Sequence, residues 1–468
     1  MMNLYGDAAI ELKSKGKKVW NEWVENNPDA NVDFSNSTFD ENLGDFSGCK
    51  FPLGNVSFNS AKFLKGAKFN GAEFKSGLVT FSYATFSGSL TDFRRVDFGD
   101  SVVLFEGTIF SSSEVDFSKA TFNRKCDFGF AKFETENSSF SEARFNSDTA
   151  DFSFAMFLGR RVDFYGCAFD CDVLFFQTSF LSHAVDFQRL TSKGQDVSFR
   201  EARFSDDSVV NFSDSNFDVE TLDFSCADFG RHVNMTALNF SERLKSFSLR
   251  NSVFKGSLEL SLQNAAAVVP DFVGSKTSSH TSLQGLTIKL PTSVFRKAND
   301  VDDAHKLRRL KEIAESNKDH EAALRFHADE MRAKRWHSLG TGASLLDAFF
   351  DFTSRYGQSI ARPVIGLLLC MIGLTLYTVG FAPFTSNWLS NMVSIDCQTW
   401  LNGLDVALNK TIPFLGSVKT EGKQAYDALH DSGVLPESYG AVSTLFFALP
   451  SFAFLFLIGL GLRNRFRI

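Results

Sequence analysis

Large apolar residues fall on a fixed beat through the first half of this chain, with polar residues between them. From Phe34 to Phe254 phenylalanines recur in steps of mostly five and seven residues, beginning Phe34, Phe39, Phe46, Phe51, Phe58 and Phe63. A small or β-branched residue stands two places before many of them. Ala61, Ala72 and Ala84 precede Phe63, Phe74 and Phe86, and Val56, Val79 and Val96 precede Phe58, Phe81 and Phe98. Residues i and i−2 of an extended segment share a face, so each short strand turns one large and one small side chain inward and leaves the polar residue between them in water. Self-similarity at a fixed period is the signature of stacked repeats, and the mixture of large and small groups suits a narrow, filled interior.

The units Val115-Asp-Phe117-Ser-Lys-Ala120-Thr-Phe122 and Val162-Asp-Phe164-Tyr-Gly-Cys167-Ala-Phe169 resemble those of pentapeptide-repeat proteins, in the version where two five-residue units carry a two-residue insert. The resemblance implies a mainly β fold, a right-handed quadrilateral β-helix in which each pentapeptide forms one side of a square coil. Four sides make a coil of about 24 residues, and the beat then spans about nine coils at ~4.8 Å each. The beat also slips, with a step of six between Phe63 and Phe69 and of eight between Phe204 and Phe212. Corners are expected to absorb these slips. Between Phe187 and Phe199, Ser192 stands in a phenylalanine slot with Gly194 close by, and a loop is expected to leave the solenoid there; Met235 fills another slot. Loops on rigid scaffolds often carry function. Ser192 and Gly194, with the acidic run of Asp206, Asp207, Asp214, Asp218, Glu220, Asp223 and Asp228, are therefore the candidate partner-binding positions. Residues 1–30, with a helical stretch from Asp7 to Val24, read as an N-terminal cap, 31–260 as the solenoid, and 261–297 as its transitional end.

Helical spacing then takes over. Leu307, Leu310, Ile313 and Ala314, followed by Ala322, Ala323, Phe326, Met331 and Trp336, predict a helical hairpin within 298–340. It looks somewhat like one tetratricopeptide unit, which cannot bury its own face alone. His327 and Glu330 lie one turn apart, and a solvated face is expected there rather than a metal site. The remaining residues, 341–468, read as a membrane domain. Pro363 to Phe384 and Ala441 to Leu462 contain no Asp, Glu, Lys or Arg and are long enough to cross a bilayer as helices. Arg355 and Arg362 precede the first span, and Arg463, Arg465 and Arg467 follow the second. The loop between them carries Asp396, Asp405, Asp427, Asp431 and Glu437. Basic flanks stay inside, so both termini and the solenoid are expected on the cytoplasmic face of a bacterial inner membrane.

Gly366, Gly373 and Gly380 form a small-residue stripe on the first span, suited to packing on the second span or on a copy of itself, and a homo-oligomer is expected. Pro450 beside Ser451 predicts a kink. In the loop, an apolar stripe from Trp400 leads into Ile412-Pro413-Phe414-Leu415 and predicts an interfacial or re-entrant helix. A span, a re-entrant helix and a second span resemble two-span ion channels, although the T-V-G-Y-G potassium filter is absent. Pro450, Ser451 and residues 412–415 are thus the candidate pore or gate. The carboxyl-terminal third, from Leu307-Arg-Arg-Leu to Arg467-Ile468, looks like the two-span tail of some bacterial membrane-associated pentapeptide-repeat proteins.

Composition narrows the chemistry. The 468 residues include 54 Phe and only 9 Pro and carry a formal charge of −7. The odd count of 7 Cys argues against a disulfide framework. Cys49, Cys126 and Cys167 occupy small inward slots, and Cys167-x-x-x-Cys171 lacks the company of other metal ligands. No G-x-S-x-G, Walker loop, dinucleotide fingerprint or H-E-x-x-H occurs, so neither an enzyme nor a cofactor is expected. The expectation is a membrane-anchored homo-oligomer, embedded in a lipid bilayer, that presents a cytosolic β-helix as a scaffold for binding or sensing an unknown cytosolic protein. The alternative is an oligomeric channel or pore-forming effector gated by that domain. Gyrase binding by DNA mimicry, a role of some pentapeptide-repeat proteins, is disfavoured by the solenoid's modest acidic excess and its membrane tether, and nucleic acid is not an expected partner.

Overall fold

In the computed structural model, residues 3–40, 43–278, 280–291, 298–380, 395–412, 414, 416–435 and 438–466 are described. The chain divides into two compact units, Met1–Ala333 and Lys334–Ile468.

The first unit is a parallel β-solenoid of about twelve turns. The phenylalanines of the beat are its interior. They stack coil upon coil into four columns that start at Phe34, Phe39, Phe46 and Phe51. In the first column the rings of Phe34, Phe58, Phe81, Phe105, Phe128, Phe152, Phe175, Phe199 and Phe224 lie 4.7 to 5.0 Å from their neighbours. Across columns the rings meet edge to face, as Phe105 and Phe117 do at 5.4 Å and 86°. Offset stacks within a column and T-shaped contacts between columns are the two arrangements the ring quadrupole favours. One coil takes 24 residues from Phe34 to Phe58, 23 from Phe58 to Phe81 and 25 from Phe199 to Phe224. The turns outnumber the expected nine because segments outside the beat also join the ladder: Asn3–Tyr5 pairs with Asn31–Asp33, and single bridges join Ser248 to Asp271 and Ala266 to Ile288.

The Asp before many of the phenylalanines has a local task as well as a wet position. Asp116 accepts a hydrogen bond from the Ser118 N–H and Asp163 from the Tyr165 N–H, each at 2.8 Å. These Asx turns bend the chain out of each strand. A left-handed residue recurs at the same corner of successive coils, for instance Lys119 at φ 61°, Glu142 at 56° and Gly166 at 65°.

No loop leaves the solenoid at Ser192. Thr191–Ser192 is a strand in register between Ala168–Phe169 and Asn216–Phe217, and Ser192 is 1% exposed. The ladder is made by backbone groups, so a missing ring does not break it. Met235 likewise occupies its column fully buried. Gly194 stands where coils approach so closely that a Cβ would lie 2.2 Å from the Cys171 carbonyl oxygen.

Both ends of the solenoid are covered. At the start, two helices stand where one was expected, α1 (Gly6–Ser14) and α2 (Lys17–Asn26), separated at Gly16 with φ 95°. Trp20 of α2 is fully buried against Phe34 and Phe51, with ring centroids 5.8 and 5.9 Å away, and donates from Nε1 to the Lys50 carbonyl at 2.8 Å. Lys13 holds its ammonium 4.7 Å from the Phe46 ring centroid. At the far end, α3 (Asp303–Ser316) and α4 (His320–Lys334) bury Leu307, Leu310, Ile313, Ala322, Ala323 and Phe326 in the solenoid's own core. Arg309 donates to the Ser275 carbonyl at 2.6 Å, and Asn317 accepts from the Thr281 N–H at 2.9 Å. The hairpin therefore buries its apolar face against the last coils.

The second unit contains α5 (Thr341–Ser354), α6 (Ala361–Thr378), α7 (Cys397–Thr411), α8 (Gly416–Asp431) and α9 (Tyr439–Phe466). Both α6 and α9 are long and apolar enough to cross a membrane. Their outward residues, Ile365, Leu368, Leu369 and Ile372 on α6 and Phe446, Phe452 and Phe456 on α9, are exposed, unlike those of a soluble core helix. Residues 381–384 of the expected first span lie outside the described residues. Where the sequence suggested one interfacial or re-entrant helix, the loop holds two, α7 and α8, which share a small core with α6 built on Leu374, Val406, Ala407, Ala425 and Leu429.

The seven cysteines are unpaired. Burial pushes the Cys49 and Cys171 thiols up to about 11, and burial raises Cys167 as well. Such thiols stay protonated and unreactive at neutral pH. Maleimide labelling of the native protein at pH 7 should mark the exposed Cys226 and Cys397 quickly and Cys370 slowly, reaching Cys49, Cys126, Cys167 and Cys171 only after denaturation. Fast labelling of Cys126 in the folded chain would contradict a closed interior.

Candidate functional surfaces

On the solenoid, the acidic run is largely taken up by cations of the neighbouring coils. Lys255 meets Asp206 at 2.7 Å and Asp228 at 2.8 Å, Lys245 meets Glu220 at 2.6 Å, and Arg243 meets Asp218 at 3.6 Å. Asp223 accepts the Ser225 N–H at 2.8 Å in an Asx turn, and Asp214 occupies a left-handed corner at φ 58° with Gln188 at 3.3 Å. Asp207 is exposed. Most of these carboxylates, like Ser192 and Gly194, thus have a place in the coil itself.

A second set of aromatic residues escaped the sequence reading. Phe130, Phe154 and Phe176 lie outside the barrel on three successive coils, with Phe130 57% exposed. Phe130 stacks on Phe154 at 4.8 Å, and Phe154 meets Phe176 edge-on at 5.4 Å. Phe130 and Phe154 have φ of 56° and 60°, at a corner that Gly107 fills in the preceding coil. A bulky residue in the left-handed region costs roughly 1–2 kcal/mol. Leu158 and Leu181, at matching positions of adjacent coils, are also exposed. The available signal was Phe128-Gly-Phe130 and Phe152-Ser-Phe154, where a second phenylalanine follows the beat by two residues.

His327 and Glu330 do not form a wholly solvated face. Glu330 is buried, with Arg308 Nε 3.1 Å from its Oε1, while His327 Nδ1 lies 3.8 Å from its Oε2. Among the described residues no group of three or more His, Cys, Asp or Glu is arranged to hold a metal ion.

In the second unit the glycines of α6 receive α9 of the same chain. A Cβ on Gly366 would lie 2.6 Å from the Phe454 ring, and one on Gly373 would lie 2.9 Å from the Phe447 ring. Gly461 packs on Ile360, and Tyr377 Oη is 2.7 Å from Ser438 Oγ, so the two helices run antiparallel. Gly380 leaves the stripe, ending the helix at φ 74°. Residues Ser443–Ala448 form a π-helical turn just before Pro450, and Ser451 is fully buried. The wider turn suits a proline, which has no N–H to donate and would crowd the carbonyl four residues back. Ile412 follows the end of α7 and Phe414 is exposed, while Pro413 and Leu415 lie outside the described residues.

A buried polar cluster sits before α6. Arg335 donates to Asp347 at 2.7 Å, to Asp351 at 3.1 Å and to the Tyr356 hydroxyl at 2.8 Å; that hydroxyl donates to Asp347 at 2.9 Å. All four residues are buried. Burial and the neighbouring Asp347 carboxylate hold the Tyr356 phenol well above its ordinary pKa, so it remains a donor.

No family model, no curated protein and no solved structure matches this chain.

Proposed function

We propose that the chain is a pentapeptide-repeat protein whose right-handed quadrilateral β-helix is a protein-binding scaffold, anchored by α6 and α9 in a bacterial inner membrane as a homo-oligomer with the solenoid cytoplasmic. The four phenylalanine columns support the quadrilateral reading. The observation that carries the binding role is the outer stack of Phe130, Phe154 and Phe176: it keeps bulky rings outside the barrel at two left-handed corners that a glycine would fill without strain, and its exposed apolar surface is what a partner's apolar surface would bury. A photo-crosslinking phenylalanine analogue placed at 130 or 154 in cells should give one discrete adduct, and the same analogue at Glu142, on a different corner, should give none. Equal yields at 130 and 142, or no adduct at either, would remove the support for this role. The π-helical turn beside Pro450 favours a second reading, a conducting oligomer, because such turns gather at functional sites. Planar-bilayer current from the purified chain that changes on Pro450→Ala would select it.

A further inference from the structure

Helix α5 has its polarity inside out. Ser344, Asp347, Asp351 and Ser354 are buried, whereas Leu345, Leu346, Phe349 and Phe352 on the opposite side are 57 to 74% exposed. The buried side is explained by its partners, since Arg335 binds both carboxylates and Tyr356 donates to Asp347. The apolar side has no partner within the described chain.

Three observations say what covers it. Helix α5 ends at Ser354 and α6 begins at Ala361, so the apolar face lies within one short turn of the first span. The antiparallel pairing brings the carboxyl end of α9 to that same turn, where Asn464 donates to the Gly357 carbonyl at 3.3 Å. Arg355, Arg362, Arg463 and Arg465 therefore gather at one end of the helix pair, where anionic headgroups would meet them. Finally, the turn is built to hold one direction. Arg355, Tyr356 and Gly357 have φ of 48°, 56° and 77°, and Arg362 Nη1 donates to the Phe352 carbonyl at 3.0 Å and the Asp351 carbonyl at 3.3 Å. The exposed face carries no charge.

We propose that α5 is an interfacial helix, lying along the surface of the bilayer that α6 and α9 cross, with Leu345, Leu346, Phe349 and Phe352 sunk at the boundary of headgroups and acyl chains. The buried Arg335 cluster orients it by holding the polar side away from lipid. This assignment rests on the reading of α6 and α9 as membrane spans. Amphipathic helices at such boundaries bury their apolar face about 5–10 Å below the surface.

The test uses the full chain in phosphatidylcholine and phosphatidylglycerol vesicles, with Cys226, Cys370 and Cys397 replaced by serine. Single cysteines are placed by Leu346→Cys, Phe352→Cys, Leu369→Cys on α6 and Glu142→Cys on the solenoid, each carrying a bimane label. Lipids doxylated near the headgroup should quench the labels at 346 and 352 about two-fold while aqueous iodide does not, as expected of an interfacial depth. The label at 369 should respond to lipids doxylated near mid-chain, and the label at 142 to iodide alone. Leu345→Cys replaces either α5 site should that variant fail to fold. If 369 is quenched by lipid but 346 and 352 respond to iodide like 142, the interfacial helix is wrong and the spans stand. Labels at 346 and 352 shielded from both quenchers would mean that protein covers α5, which also overturns the proposal. If no lipid quenches 369, the spans themselves fail and the proposal falls with them.

Discussion

Trp20→Ala is expected to open the solenoid from its amino-terminal end. The indole closes the bases of two phenylalanine columns, at Phe34 and Phe51, and satisfies the Lys50 carbonyl. Truncating a buried aromatic of this size costs about 3–5 kcal/mol. In a stack where each coil touches only its neighbours, the loss falls on the nearest coils first. Amide exchange in peptides covering Asn31 to Phe63 should therefore speed up by a factor of about 10²–10⁴, while peptides around Phe152 to Phe180 keep the parent rate. Acceleration spread evenly to the far coils would mean that the solenoid unfolds as one block, and no acceleration would mean that the indole does not hold the cap.

The other large effect is expected in the second unit. Arg335→Ala leaves Asp347 and Asp351 buried side by side without their cation, and breaking a buried pair in this way costs about 3–5 kcal/mol. Helix α5 should loosen, with faster exchange across residues 341–354 and a lower melting temperature in detergent. The triple variant Arg335→Ala with Asp347→Asn and Asp351→Asn removes the stranded charges and should recover part of the loss. A triple variant that melts no higher than Arg335→Ala would show that the guanidinium acts by packing alone.

The interior of the solenoid was legible because its signal is periodic: a beat of five and seven residues can be met only by a repeating coil, and two-residue spacing shows which side chains face in. Ser192 misled because a skipped ring looks like a skipped strand, yet the hydrogen bonds of the ladder belong to the backbone. The acidic run from Asp206 to Asp228 looked like a binding face because the cations that meet it, Arg243, Lys245 and Lys255, lie about one or two coils later in sequence. Sequence distance hides what stacking brings together. Helix α5 was not read from the sequence at all. Ordinary amphipathic logic would bury Leu345, Leu346, Phe349 and Phe352, and only the position of Arg335 shows that the carboxylates are the buried side. Glu330 likewise looked solvated until Arg308 of the preceding helix was seen beside it. Gly366 and Gly373 of α6 were legible as a packing stripe, but their partner, Phe454 and Phe447, was open until the pairing of the helices was known, and Gly380 ends the helix instead.

The capped stack has one further consequence. Apart from the slots held by Ser192 and Met235, the interior coils from Phe34 onward present the same four rings above and below, so the join between most pairs of coils is nearly interchangeable with the next, whereas α1 and α2 cover the first coil and α3 and α4 the last. Such a molecule works as an extendable ruler: gain or loss of one whole coil moves the two ends apart or together by about 4.8 Å without asking any other residue to change. Its reach can drift over generations while the fittings at its ends stay the same.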